Sequence, residues 1–274
     1  MGSYKCVFCD LDGTLLNSHS EITVQNRKAI EQLKKRGKQF IIATGRHDLI
    51  AKKYHYELEL STPMIACNGA LIKDIKNDKV LFMKPIESRL ANEFLNYCKC
   101  NKLEHLVYTY DAIYYSKDSK RINFIIDYNK SVKKELRAPL FRIEDFKGNK
   151  EIIKFLIIDD DKSMIEKLNN DVNTDNSLTI VSSGETLIDI MNKGISKGDA
   201  VSALSNYLNI DLKETVVLGD NHNDLSMFNV AGLSIAVDNA EKLLKQAADY
   251  ITLSNDESGV SHALYEFVLP KKDL

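Results

Sequence analysis

An apolar run, Cys6-Val7-Phe8-Cys9, ends in two acids and a glycine, Asp10-Leu11-Asp12-Gly13, followed by Thr14. No other feature constrains the chain as much. Four consecutive apolar residues read as a strand buried on both faces, the kind found in parallel sheets covered by helices. Two carboxylates two positions apart at a strand end raise each other's pKa unless a cation lies between them. Such a pair suits a site where one acid is nucleophile or metal ligand and the other carries protons. The plainer reading is a structural turn, since Asp-Gly pairs are common turn chemistry.

The pattern around this junction repeats. Residues 23 to 36 read as a helix with Thr23 as N-cap and Gly37 just past its end. Gln39 to Ala43 is a second buried strand, stopping at Thr44-Gly45-Arg46, and Pro63 to Cys67 is a third, stopping at Asn68-Gly69. Near the C-terminus, a helix over 198–208 leads to a strand at 215–218 that ends in Gly219-Asp220. Two more strands follow at 233–237 and 250–253, with a helix near 240–248 between them. From 84 to 186 the alternation is lost. Helices are expected near 88–100 and 162–172, with strand-like runs at 105–109, 112–116, 122–127, 152–159 and 177–182. The expected fold is α/β: a Rossmann-like parallel sheet core from residues 1–83 and 187–274, with an α+β cap domain, 84–186, inserted into it.

Ligands of open parallel sheets bind beyond the carboxyl ends of the strands. Asp10 and Asp12 end one strand, Thr44 another and Asp220 a third, followed by Asn221-His222-Asn223-Asp224; Lys197 opens a helix. Acids, a hydroxyl and a cation on one sheet edge suit a phosphoryl group. Asp10 and Asp220 are hard oxygen ligands for Mg²⁺. Lys197 is a point charge for a phosphate oxygen. Thr44 and the backbone N–H groups at Gly13 and Gly45 are further donors. Phosphoryl transfer depends on such positioning and charge stabilisation.

These residues resemble the four motifs of the haloacid dehalogenase superfamily: DxDGT at Asp10 to Thr14, the strand-end Thr44, Lys197, and GDxxND at Gly219, Asp220, Asn223 and Asp224. The resemblance implies that Asp10 attacks phosphorus and becomes an aspartyl-phosphate. It implies that Asp12 protonates the leaving group and then activates water. Mg²⁺ would be held by Asp10, the Asp12 carbonyl and Asp220, with Asp224 nearby or acting through water. The Leu11 backbone, Thr44, Gly45, Lys197 and Asn223 would bind phosphate. Only about thirty residues separate Asp12 from Thr44, while about a hundred lie between the third strand and Lys197. This spacing is similar to that of the Cof-like subfamily with the large α+β (type IIB) cap, which includes sugar-phosphate phosphatases.

The expected activity is Mg²⁺-dependent hydrolysis of a small phosphate monoester, a sugar phosphate first, with a nucleotide or cofactor phosphate as alternatives. A phosphotransferase or mutase on the same scaffold, a receiver-type signalling module and an idle sensor remain open. A formal net charge of −2 gives no general attraction for nucleic acid, and no apolar stretch approaches the length of a membrane span. Five scattered cysteines and the early first strand, which leaves no room for a signal peptide, lead us to expect a cytoplasmic protein. Cys6 and Cys9, three apart on a strand, face opposite sides and read as core residues rather than a metal pair. His222, His47 and Arg46 lie close to the motifs without a settled role. Asp159-Asp160-Asp161 reads as a strand end and helix cap, and Tyr108, Tyr110, Tyr114 and Tyr115 as pocket lining or core.

Overall fold

The computed structural model describes residues 4–161, 163–184 and 186–269. Residues 1–3, 162, 185 and 270–274, which belong to the expected units and to the start of the helix expected from 162, lie outside them. The chain begins β1 (Cys6–Cys9), α1 (Val24–Lys35), β2 (Gln39–Ile42), α2 (Asp48–Glu57), β3 (Met64–Ala66), β4 (Leu71–Asp74) and β5 (Lys79–Met83). It continues α3 (Ser88–Cys100), β6 (Glu104–Thr109), β7 (Ile113–Tyr115), α4 (Lys120–Ser131), β8 (Leu140–Arg142), β9 (Ile152–Ile158), α5 (Met164–Val172), β10 (Leu178–Gly184) and β11 (Leu187–Asn192). It closes with α6 (Lys197–Tyr207), β12 (Thr215–Gly219), α7 (Leu225–Phe228), β13 (Leu233–Ala236), α8 (Lys242–Ala247), β14 (Tyr250–Ile251) and α9 (Gly259–Ala263).

The first sheet is parallel throughout, in the order β14-β13-β12-β1-β2. Strand β1 lies between β12 and β2 and is wholly buried. Its alternate residues feed two separate cores: Val7 and Cys9 meet Ile30 and Leu33 of α1, while Cys6 and Phe8 meet Val201 and Leu204 of α6. The two cysteines therefore face opposite ways, and burial pushes the Cys6 thiol up, away from its reactive form. Helix α1 begins where Thr23 accepts a hydrogen bond from the Asn26 N–H (3.2 Å).

Strand β3 is only marginally part of this sheet. It touches β2 through the single parallel bridge Ala43↔Ile65 and otherwise pairs antiparallel with β4, in the separate sheet β3-β4-β5. Positive φ values at Cys67, Asn68 and Gly69 reverse the chain after three residues and end the strand.

The second sheet has the order β10-β11-β9-β6-β7-β8 and is antiparallel except for β7 and β8. Helices α3 and α5 cover one face, where Phe94, Leu95 and Leu168 pack on Phe155 and Ile157. On the other face Ile122, Ile125 and Tyr128 of α4 meet Leu49 and Ile50 of α2. The run at 122–127, expected as a strand, is thus the body of α4. Its β-branched residues suggest a strand, but the buried positions 122, 125 and 128 follow a helical period, and Ser119 caps the start. Hydrogen bonding also carries the second sheet past residue 186, because Leu187–Asn192 pairs with both β9 and β10. No helix among the described residues is long and apolar enough to cross a membrane.

Candidate active site

The carboxyl ends of β1, β2 and β12 bring Asp10, Asp12, Thr44, Gly45, Asp220 and Asn223 to one cleft of about 270 Å³, roofed by β9, β11 and α4; Lys197 and Asp224 do not line it and are joined to it through Asp10. The backbone turns sharply after Asp10. Gly13 has φ 72°, and a Cβ there would lie 2.4 Å from Asp220 Oδ2, so this position takes only glycine. The turn places Thr14 Oγ1 to donate to Asp220 Oδ1 (2.7 Å), a contact that sequence reading did not assign.

Asp10, Asp220 and Asp224 each offer a carboxylate oxygen, and the three oxygens lie within 4.8 Å of one another. Buried Lys197 donates to Asp10 Oδ1 (2.5 Å) and to Asp224 Oδ1 (2.6 Å). Asp224 Oδ2 also accepts from the N–H groups of Asp220 (3.0 Å) and Asn221 (3.1 Å), so this acid fixes the loop as well as the lysine. A Cβ on Gly219 would come within 2.6 Å of the Asp224 side chain, which lets the loop close this tightly.

One lysine does not balance three acids. Burial pushes the Asp10 carboxyl up, Lys197 opposes this, and Asp224 and Asp12 add to it, giving about 7. Burial, then Asp10 and Asp224, push Asp220 up as well. Burial disfavours the Lys197 charge, but Asp10 and Asp224 outweigh it and hold the ammonium protonated. Closely spaced carboxylates that resist ionisation fit a site completed by a divalent cation, and an all-oxygen donor set favours a hard one.

Asp12 takes a different course. Its side chain keeps 55% of its surface, facing the cleft, and receives Arg46 Nε at Oδ2 (2.7 Å) and Arg46 Nη2 at Oδ1. Burial within the cleft opposes ionisation, yet Arg46, and then Arg121 and Lys197, hold this carboxyl below its ordinary value. The Asp12 carboxylate is therefore not in the three-acid set, and the expected contribution to a metal rests on its carbonyl. Thr44 is buried, and its Oγ1 accepts from the Arg46 N–H (3.0 Å), leaving its own hydrogen for the cleft. Gly45 also lines the cleft. Leu11 is buried in the core, so only its main chain is polar there. Asn223 lines the cleft but gives an amide hydrogen to Asn68 Oδ1 (3.0 Å).

The remaining candidates also find places. His222 is exposed. His47 is buried, and its Nε2 donates to the Thr109 carbonyl of β6 (2.7 Å), joining the two sheets. Asp161 accepts from Ser163 ahead of α5. Tyr114 packs against Phe141 and Phe146, while Tyr108 is buried under Lys154. Sequence reading missed the residues of the cleft roof. Lys154 is buried, reaches the Gly45 carbonyl (2.6 Å) and pairs with Asp189 (2.6 Å). Asp189 in turn accepts from Asn68 Nδ2 (2.7 Å). Arg121 faces the same space. A lone charge inside an apolar strand, as in Ile153-Lys154-Phe155 and Ile188-Asp189-Ile190, is the signal that marks two of them, because unpaired charges are not buried.

Residues 7–264 match the haloacid dehalogenase-like hydrolase family. The chain is 30% identical to 5-amino-6-(5-phospho-D-ribitylamino)uracil phosphatase YwtE of Bacillus subtilis, over 94% of this chain and 96% of that protein. It is 29% identical to phosphatase YwpJ of the same organism, over 95% and 98%. Its fold matches a B. subtilis haloacid dehalogenase-like hydrolase structure with a TM-score of 0.85 at 27% identity, covering 96% of this chain and 100% of that one. A parallel core sheet carrying the four motifs, a large α+β cap and a family match over nearly the whole length agree: the chain belongs to the haloacid dehalogenase-like hydrolases, as a phosphatase of their Cof-like branch.

Proposed function

We propose that the protein hydrolyses the phosphate monoester of a small metabolite, a sugar phosphate first among them, with Mg²⁺ as cofactor and Asp10 as nucleophile. The reading rests above all on the three acidic oxygens gathered within 4.8 Å beside a buried lysine. Asp10, Asp220 and the Asp12 carbonyl would hold the ion, with Asp224 nearby. The ion would offset the carboxylate charge and polarise a phosphate oxygen.

The chain's own residues supply the rest. An Asp10 oxygen attacks phosphorus as the ester P–O bond breaks, leaving an aspartyl-phosphate. Asp12 gives its proton to the departing alkoxide. It then takes a proton from the water that attacks phosphorus and releases phosphate, regenerating Asp10. The ion pair with Arg46 favours the base form that the second step needs, and the first step requires that pair to open. Lys197, the Thr44 hydroxyl and the main chain at Leu11 and Gly45 would meet the phosphoryl oxygens, with Asn223 at the rim. The second sheet, residues 84 to about 192, would serve as the cap that excludes water and contacts the leaving group.

Phosphate release from para-nitrophenyl phosphate and a panel of phosphorylated metabolites tests this. Turnover should require Mg²⁺, vanish with chelator and fall by roughly 10³-fold or more in Asp10→Asn. Full activity in that variant would refute the assigned nucleophile. Release only when an acceptor alcohol is supplied would point to a phosphotransferase instead.

A further inference from the structure

Two arginines line the cleft, one from the loop after β2 and one from α4, and both lie against one ring. The Arg46 guanidinium lies 5.0 Å from the Phe124 ring centre, and that of Arg121, in the first turn of α4, lies 5.2 Å from it. Arg46 is only 5% exposed; it spends Nε and Nη2 on Asp12, and its Nη1 is buried without an acceptor. Among the described residues Arg121 makes no ion pair, and its buried Nε also lacks an acceptor. A buried N–H without a partner is costly, and more so on a charged group. A ligand that brings oxygen atoms to this spot would recover that cost.

Charge counting points the same way. With one divalent ion, the floor of Asp10, Asp220, Asp224 and Lys197 closes to neutrality. On the core wall Arg46 is matched by Asp12, and in the roof Lys154 is matched by Asp189. Arg121 is the surplus cation, and it stands on the cap side, where a leaving group would lie. We infer that Arg121, helped by Arg46 Nη1, receives an anionic group on the leaving group of the substrate. Preferred substrates would then be phosphate esters that carry a carboxylate or a second phosphate. The inference rests on the phosphatase reading above.

The test compares kcat/KM for para-nitrophenyl phosphate, a neutral sugar monophosphate, a phosphorylated hydroxy acid and a sugar bisphosphate, in wild type, Arg121→Gln and Arg121→Lys. The wild type should favour one or both doubly anionic esters. Arg121→Gln should reduce that preference, taken as a ratio to para-nitrophenyl phosphate, by roughly 10–100-fold, with partial recovery in Arg121→Lys. Loss confined to the hydroxy acid or to the bisphosphate identifies which anion is read. An unchanged ratio, with all substrates weakened alike, would place Arg121 on the transferred phosphoryl and overturn the inference. So would no change at all. Calorimetric binding of the dephosphorylated products, which keep the second anion, reads the same contact without turnover. An inactive wild type that still binds them through Arg121 would count against the phosphatase reading alone.

Discussion

At the floor of the cleft three acids, Asp10 and Asp224 buried and Asp220 half-buried, face one lysine; along the seam between the two sheets each buried acid faces at least one cation. In the seam Lys154 meets Asp189, and Lys73 and His47 both meet Asp48 (3.2 and 2.6 Å). The effect on two equally hidden carboxyls is opposite. Burial would raise Asp48, but His47 and Lys73 more than offset it and hold it at about 2. Asp10, short of cations, rises to about 7. Matched burial is a structural device that locks two elements together. Unmatched burial stores repulsion that a cation can relieve, which is the mark of a working site.

Removing an acid from each region should therefore have different costs. Asp220→Asn should lower kcat by roughly 10³-fold or more, while the metal-free protein melts no lower than wild type, because repulsion is relieved. A clear loss of metal-free stability would mean the floor is balanced after all. In the seam, Lys73→Met strips Asp48 of a buried partner and should cost about 3 kcal/mol in urea unfolding, with turnover of para-nitrophenyl phosphate retained.

The smallest effect lies in the pH profile. Asp48 sits below its ordinary value of 3.8 in the fold, so its stabilisation is complete above about pH 4 and is lost as the pH falls through about 2. The full shift is worth about 2 kcal/mol. Asp10 has the reverse sign: its protonated form suits the metal-free fold, so that contribution is present at low pH and fades as the pH rises through about 7. Urea unfolding of metal-free protein from pH 2 to 8 should show both limbs. Asp48→Asn should flatten only the acid one.

The floor was legible in the sequence because each of its residues ends a buried strand or opens a helix, and those places are set by local pattern. Asp10, Thr44, Lys197 and Asp220 all fall at such junctions. The roof was harder to read. Lys154, Asp189 and Arg121 lie within strands or a helix turn, and only long-range pairing turns them toward the cleft. Helix α2 gave little local signal either, since its start is capped by His47, an uncommon cap. The run at 122–127 deceived because isoleucines favour strands in isolation, whereas packing on α2 decided for a helix. The placing of residues 187–192 with the second sheet depends on partners far along the chain, at β9.

Lys154 props the Gly45 carbonyl from above, and His47, two residues on, grips β6 through Thr109. Both ties cross the seam and both end on the segment that presents Thr44. Were the roof to lift to admit a molecule, both would be cut together, and the segment would keep only its ties within the core, among them Arg46 to Asp12, and the Cys67 and Asn68 N–H groups to the Arg46 and Thr44 carbonyls. Entry and bracing would then trade off: the gap would be widest when the loop carrying Thr44 is held by the fewest bonds.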